Sequence, residues 1–201
     1  MRTLAIALLL LGCCALPLSA DDEPQDDTPY LEGDKQICKQ PPMLLKRPSD
    51  SWQFVDLEKM KKKAEAEGQD VSTPAWRQLK FRLYSGSQRA NIFVYARIDD
   101  EERDEPLTAE ALAEGKLASL RGAFKEPTVG KPKKVRVGRT VGVMLQIEGA
   151  LLQGGKEHAV LAATGFRSQD KCVLEVQLEC KPSQVKKLSK ELKTLLKKLK
   201  F

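Results

Sequence analysis

Aromatic residues make up only 5% of this 201-residue chain, and there is a single histidine, His158. No stretch, the N-terminal apolar run Leu4 to Leu11 included, is apolar for long enough to cross a bilayer, which takes about 20 residues. The scarcity of aromatics among the lysines and arginines argues against a nucleic-acid platform, which interleaves stacking rings with basic side chains. No nucleic-acid partner is therefore expected. The sequence contains no Gly-x-Ser-x-Gly elbow, phosphate-cradling P-loop or His-Glu-x-x-His helix, which removes the familiar routes to acyl transfer, nucleotide hydrolysis and zinc-dependent cleavage. Any Ser-His-Asp or Cys-His arrangement would have to use His158, which follows the Gly154-Gly155 turn. A hydrolase centred on His158 is the minor alternative, and the main expectation is a chain with no catalytic residues.

Cysteine is sparse and scattered. Cys13 and Cys14 lie in the apolar N-terminal run, leaving Cys38, Cys172 and Cys180. Zinc sites show close-spaced ligand pairs, so no metal and no cofactor is expected. The acidic run Asp21, Asp22, Glu23, Asp26 and Asp27 lacks the alternating ligands and turn glycine of a calcium loop.

What the chain does contain begins with an export signal. Arg2 precedes the unbroken apolar run Leu4 to Leu11, and polar sequence starts at Asp21, as in a secretory signal peptide covering 1–20. Two processing sites compete. Leu18-Ser19-Ala20 suits cleavage after Ala20, whereas Leu10-Leu11-Gly12-Cys13 resembles a lipobox that would make Cys13 a lipidated N-terminus and tether the chain to a membrane. Residues 21–47 are acidic, proline-punctuated and poor in apolar side chains, and read as a solvated tail. In an oxidising compartment a disulfide is expected. Cys172 and Cys180 are too far apart to pair within one straight strand, at ~3.3 Å per residue. The bridge then runs from Cys38 to Cys180 or Cys172, with Cys180 preferred because it lies at a strand end.

Residues 48–201 read as one α+β domain. Alternation marks strands over Ser49–Val55, Leu79–Tyr84, Ala90–Ile98, Thr140–Glu148, His158–Phe166 and Cys172–Cys180. Helices are predicted over Leu57–Glu67 and from a Thr108 cap to Phe124, with a loop through Pro127, Gly130 and Pro132. The last thirty residues are the clearest. Cys172, Leu174, Val176, Leu178 and Cys180 share one strand face. After Lys181-Pro182-Ser183, Val185, Leu188, Leu192, Leu195, Leu196 and Leu199 form a narrow apolar seam on an amphipathic C-terminal helix. Its other face carries Lys186, Lys187, Lys190, Lys193 and Lys197, a candidate basic contact surface. Further basic runs lie at Lys59–Lys63 and Lys131–Lys134. The net charge of +6 arises from 34 Lys and Arg against 28 Asp and Glu.

This order of elements, with Arg47-Pro48 leading into Trp52 and Phe54, resembles the PsbP-like family over roughly Leu44 to Phe201. The resemblance implies a single antiparallel sheet of about six strands between helices, an α/β/α sandwich closed by a C-terminal helix. It also implies an exported accessory protein without catalytic residues. The expected setting is the bacterial cell envelope, periplasm or exterior, with another envelope or extracellular protein, or a membrane surface, as partner.

Overall fold

The computed structural model describes residues 29–99, 101 and 106–201. The signal segment with Cys13, the acidic residues 21–27, and positions 100 and 102–105 lie outside them. In chain order the elements are β1 (Tyr30–Glu32), β2 (Lys35–Cys38), β3 (Met43–Lys46), β4 (Gln53–Phe54), α1 (Leu57–Ala66), α2 (Pro74–Gln78), β5 (Leu79–Ser85), β6 (Ala90–Ile98), α3 (Ala109–Arg121), β7 (Phe124–Val129), β8 (Lys133–Val137), β9 (Thr140–Leu151), β10 (Glu157–Arg167), β11 (Cys172–Cys180) and α4 (Val185–Lys198).

The main sheet is antiparallel, in the order β4-β5-β6-β11-β10-β9-β7, with β8 also paired to β9. Strand β11 sits inside it, hydrogen-bonded to β10 on one side and β6 on the other. Both faces are covered, so the α+β sandwich expected from the sequence is the observed architecture. On one face, Leu174, Val176 and Leu178 of β11 meet Leu161 and Ala163 of β10, Ile92 and Val94 of β6, and the seam of α4. On the opposite face, Ala113, Leu117 and Leu120 of α3 cover Val143, Leu145 and Ile147 of β9 and Val160 and Ala162 of β10.

Local chemistry sets the helix ends. Asp56 accepts the Lys59 backbone N–H at 3.0 Å and caps α1, and Gly68 beyond it takes φ +78°, which a Cβ would strain. The Thr108 hydroxyl accepts the Ala111 N–H at 3.1 Å and caps α3.

The sheet has eight strands, not about six, because the proline-containing loop expected after α3 is paired backbone. Phe124 opens β7 instead of closing the helix, and a register shift between Lys125 and Thr128 accommodates Pro127 at the sheet edge. Strand β8 turns into β9 through Gly138 and Arg139, with Gly138 at φ +56°. The strand expected over Ser49–Val55 shrinks to Gln53–Phe54, since 49–51 form a turn. The short helix α2 was not predicted.

The second correction is at the N-terminus. Much of the segment read as a solvated tail is a three-stranded sheet, β1-β2-β3. Its inward side chains Cys38, Met43 and Leu45 belong to the main core, and Leu44 exchanges backbone hydrogen bonds with Lys200 at 2.8 and 3.0 Å.

Two substitutions check this packing by urea unfolding. Leu192→Ala, in the fully buried seam, should lose about 2–5 kcal/mol of stability, whereas Lys190→Ala on the exposed face should change it by less than about 0.5 kcal/mol. Gly142→Ala should also destabilise, because its Cβ would meet the Thr164 carbonyl oxygen at 2.3 Å and Val137 at 2.7 Å; a loss of about 1–3 kcal/mol is expected for such overpacking.

Candidate functional site

Helix α4 divides its side chains cleanly. Val185, Leu188, Leu192, Leu195 and Leu196 are buried against the sheet, and the Leu199 that follows is buried with them. Lys186, Lys187, Lys190, Lys193, Lys197 and Lys198 are exposed. The helix has one acidic residue, Glu191, and it is turned to structural use. Its carboxylate accepts the indole N–H of the fully buried Trp52 at 2.5 Å, the Ser49 hydroxyl at 3.2 Å and the Gln88 amide at 3.4 Å. Among the described residues, no carboxylate forms an ion pair with a lysine of α4. The outer face of the helix is therefore cationic along its whole length, about 20 Å at 1.5 Å per residue.

The three basic clusters seen in the sequence part company in the fold. Strand β8 lies beside the C-terminal half of α4, where the Gly138 N–H donates to the Leu196 carbonyl at 2.7 Å. Lys133 shares the α4 side of the sheet with Val135 and Val137, while Lys134 and Arg136 lie on the other side of this edge strand. Arg139 is exposed in the turn. Basic charge thus continues from α4 around the β8 edge. The lysines of α1 stand at the other edge of the sheet and are partly neutralised, Lys59 by Asp56 at 3.2 Å and Lys63 by Glu67 at 3.9 Å.

A second polar assembly lies on the opposite face of β11, and the sequence reading did not single it out. Glu175, Gln177 and Glu179 alternate with the buried inner-face residues and point between the α3 cover and the β5–β6 hairpin. Glu175 pairs with Lys116 of α3. Glu179 accepts the Gln177 amide at 2.7 Å and lies 3.9 Å from His158 Nε2. Arg82 donates to Asn91 at 2.9 Å and stands over the Phe93 ring at 5.2 Å. Burial lowers the Arg82 pKa and pushes the Tyr95 hydroxyl well above its usual range. The signal for this lane was the polar half of the alternation in Val173-Glu175-Gln177-Glu179, which gave a face but no neighbours.

His158 belongs to this lane. Its ring stacks near Phe124, with centroids 6.4 Å apart. Burial lowers its pKa, and the Glu179 carboxylate partly reverses the effect.

No disulfide joins Cys38, Cys172 and Cys180 in the core. Cys180 closes β11 beside the start of α4, whereas Cys38 ends β2 near Lys200, beyond the other end of that helix. Burial pushes the Cys180 thiol up to about 12, helped by Glu148 and Glu179. It pushes Cys172 up to about 11, helped by Asp170.

His158, as the only histidine, gives an unambiguous NMR titration. Its midpoint should lie below the ordinary 6.5. The unfolded chain then binds the proton more tightly than the fold does. The associated stability is present in full above pH 6.5 and is lost as pH falls from there through the folded midpoint. His158→Gln should flatten that part of the stability profile, and a midpoint at or above 6.5 would contradict the burial.

No protein family matches the chain, and no curated protein matches it. Among solved structures it is similar to the solution structure of cyanobacterial PsbP (CyanoP) from Synechocystis sp. PCC 6803. The match has 11% identity and a TM-score of 0.48, over 92% of this chain and 98% of that one. The likeness is to a PsbP-like fold and extends to no residue or activity.

Proposed function

We infer that this chain is an exported accessory protein that acts by binding an acidic protein partner, without catalysis of its own. The observation that carries the reading is the exposed lysine face of α4, continued by Lys133 and Arg139 at the β8 edge. The fold does not need these side chains, because the leucine seam alone fastens the helix. A unipolar surface of this kind raises the encounter rate with a complementary acidic surface and sets its salt dependence.

The N-terminal signal supports an exported location, in the cell envelope or outside it. The lipid-anchored alternative through Cys13 places the same face near a membrane and leaves its chemistry unchanged. His158 is held by Phe124 and Glu179 at the rim of a packed lane, which supports a structural role over a hydrolytic one. No helix among the described residues is long and apolar enough to cross a membrane.

The test is binding to two defined probes at rising ionic strength: a soluble polyglutamate chain and vesicles containing phosphatidylglycerol. Binding to polyglutamate should weaken steadily as salt shortens the screening length from about 30 Å at 0.01 M to about 8 Å at 0.15 M. The variant Lys187→Glu/Lys190→Glu/Lys193→Glu/Lys197→Glu should bind at least about tenfold more weakly, while charge reversal of Lys61 and Lys62 on α1 should have little effect. Equal loss from both sets would reduce the effect to net charge. Preference for vesicles over polyglutamate would favour the membrane reading.

A further inference from the structure

We propose that Cys38 and Cys172 are a disulfide pair, which forms while the exported chain folds and fastens the β1–β3 sheet to the central strand β11, with Cys180 left as a core thiol. This goes beyond the binding role and does not depend on it.

The argument is positional. After Cys180 the chain turns at Pro182 and α4 runs straight back over β11, so the far end of the helix lies above the Cys172 end of the strand. Three contacts mark that end. The Leu196 carbonyl accepts the Gly138 N–H at 2.7 Å. The guanidinium of Arg167, the residue paired with Cys172 across the sheet, lies 5.1 Å above the Phe201 ring. Lys200 pairs with Leu44, which places the β2–β3 hairpin there. Cys38 is the last residue of β2, opposite Met43, whose neighbour Leu44 makes that contact. Both sulfurs face the same core, with Cys38 2% exposed and Cys172 fully buried.

The electrostatics agree with the placement. Charge on Cys38 would raise the Cys172 thiol, so the two groups feel one another, whereas Cys180 responds to Glu148 and Glu179 instead. Gln40 also fixes the β2–β3 turn, its carbonyl accepting from the Cys38 thiol at 3.3 Å.

The chemistry is thiol–disulfide exchange with a small disulfide such as oxidised glutathione. The Cys38 thiolate attacks one sulfur of that disulfide, forming a mixed disulfide and releasing one glutathione thiolate. The Cys172 thiolate then attacks Cys38 Sγ, the mixed bond breaks, and the second glutathione leaves. The protein thiols give up two electrons and two protons, and the small disulfide becomes two thiols. Burial of both sulfurs places this step before the small sheet and α4 close over them.

The full chain is unfolded under reduction, refolded in a glutathione redox buffer, alkylated and digested by a protease that cuts after glutamate. Glu175 and Glu179 separate Cys172 from Cys180 in such a digest. The expected result is a linked peptide containing Cys38 and Cys172, with Cys180 alkylated only in denaturant. The bridge should persist in Cys180→Ser and vanish in Cys172→Ser. It should also raise the thermal midpoint of the oxidised protein above that of the reduced one. A linked peptide joining Cys38 to Cys180, Cys13 or Cys14, or a Cys38 that is fully alkylated after refolding, would overturn the assignment. The wild-type digest decides the matter even if Cys172→Ser fails to fold.

Discussion

The contact between the α4 seam and the inner face of β11 determines where everything else can stand. Strand β11 is paired on both edges, so its backbone is satisfied without help and its inner face must be buried by something else. Leu188, Leu192, Leu195, Leu196 and Leu199 supply that cover, each 2% exposed or less. At about 1.5–3 kcal/mol for burying each such side chain, this one seam contributes on the order of 10 kcal/mol before entropy is counted. That is comparable to the whole net stability of an ordinary domain. The sharp turn at Pro182 leaves the helix only one direction, back over its own strand. The fold is thus closed by its last element, and Lys200 and Phe201 beyond it become anchors for the β2–β3 hairpin and Arg167.

That closure separates the two faces of the sheet chemically. On the α4 side nearly every inward residue of β6, β11 and β10 is apolar, and Trp52 with Glu191 forms the polar edge of the core. On the α3 side the helix covers only β7, β9 and β10, and β11 presents Glu175, Gln177 and Glu179 beside it. The carboxylates of Glu175 and Glu179 are only about a quarter exposed, and each has polar neighbours: Lys116 beside Glu175, and Gln177 with His158 beside Glu179. Buried pairs of this kind contribute little net stability but fix register, because a mispaired strand would leave a charge uncovered. Placing Lys116 on α3 opposite Glu175 on β11 sets the position of that helix along the sheet.

How much of this was readable in advance depended on whether a signal was local. The β11–α4 unit, the β5–β6 hairpin and both capped helices were legible because period, cap and turn all lie within a dozen residues. The missed strands obey a different rule. Phe124-Lys125-Glu126-Pro127-Thr128-Val129 has a strand-breaking proline, and only the bulge and its edge position make it compatible with pairing. Strands β1–β3 have three or four residues each, and their apolar content is too low to announce a core face; burial comes from α4, far away in sequence. The basic face of α4 was visible, since it depends on the same period as the seam. The polar lane was not, because it joins β5, β6, α3, β10 and β11. The choice of cysteine pair stayed open for a related reason. Chain distance ruled out one pair, but choosing between the other two required knowing which end of β11 the N-terminal hairpin reaches.

The composition of α4 gives an independent reason to treat its outer face as more than a solvated surface. Lysines at i, i+3 and i, i+4 repel: Lys186 with Lys190, Lys187 with Lys190, Lys190 with Lys193 and Lys193 with Lys197. Each such pair costs a helix roughly 0.2–0.5 kcal/mol, whereas Glu–Lys pairs at the same spacing would contribute a similar amount in the favourable sense. Lys197 and Lys198 at the C-terminus are favoured by the helix dipole, but Lys186 and Lys187 in the first turn are opposed by it. A helix shaped for stability alone would place acids in that first turn. This one has a single acid, Glu191, and turns it towards Trp52. The leucine seam is strong enough to offset the repulsion several times over, so the chain can carry an unbalanced cationic face, and an acidic partner would relieve the repulsion that the helix holds when alone.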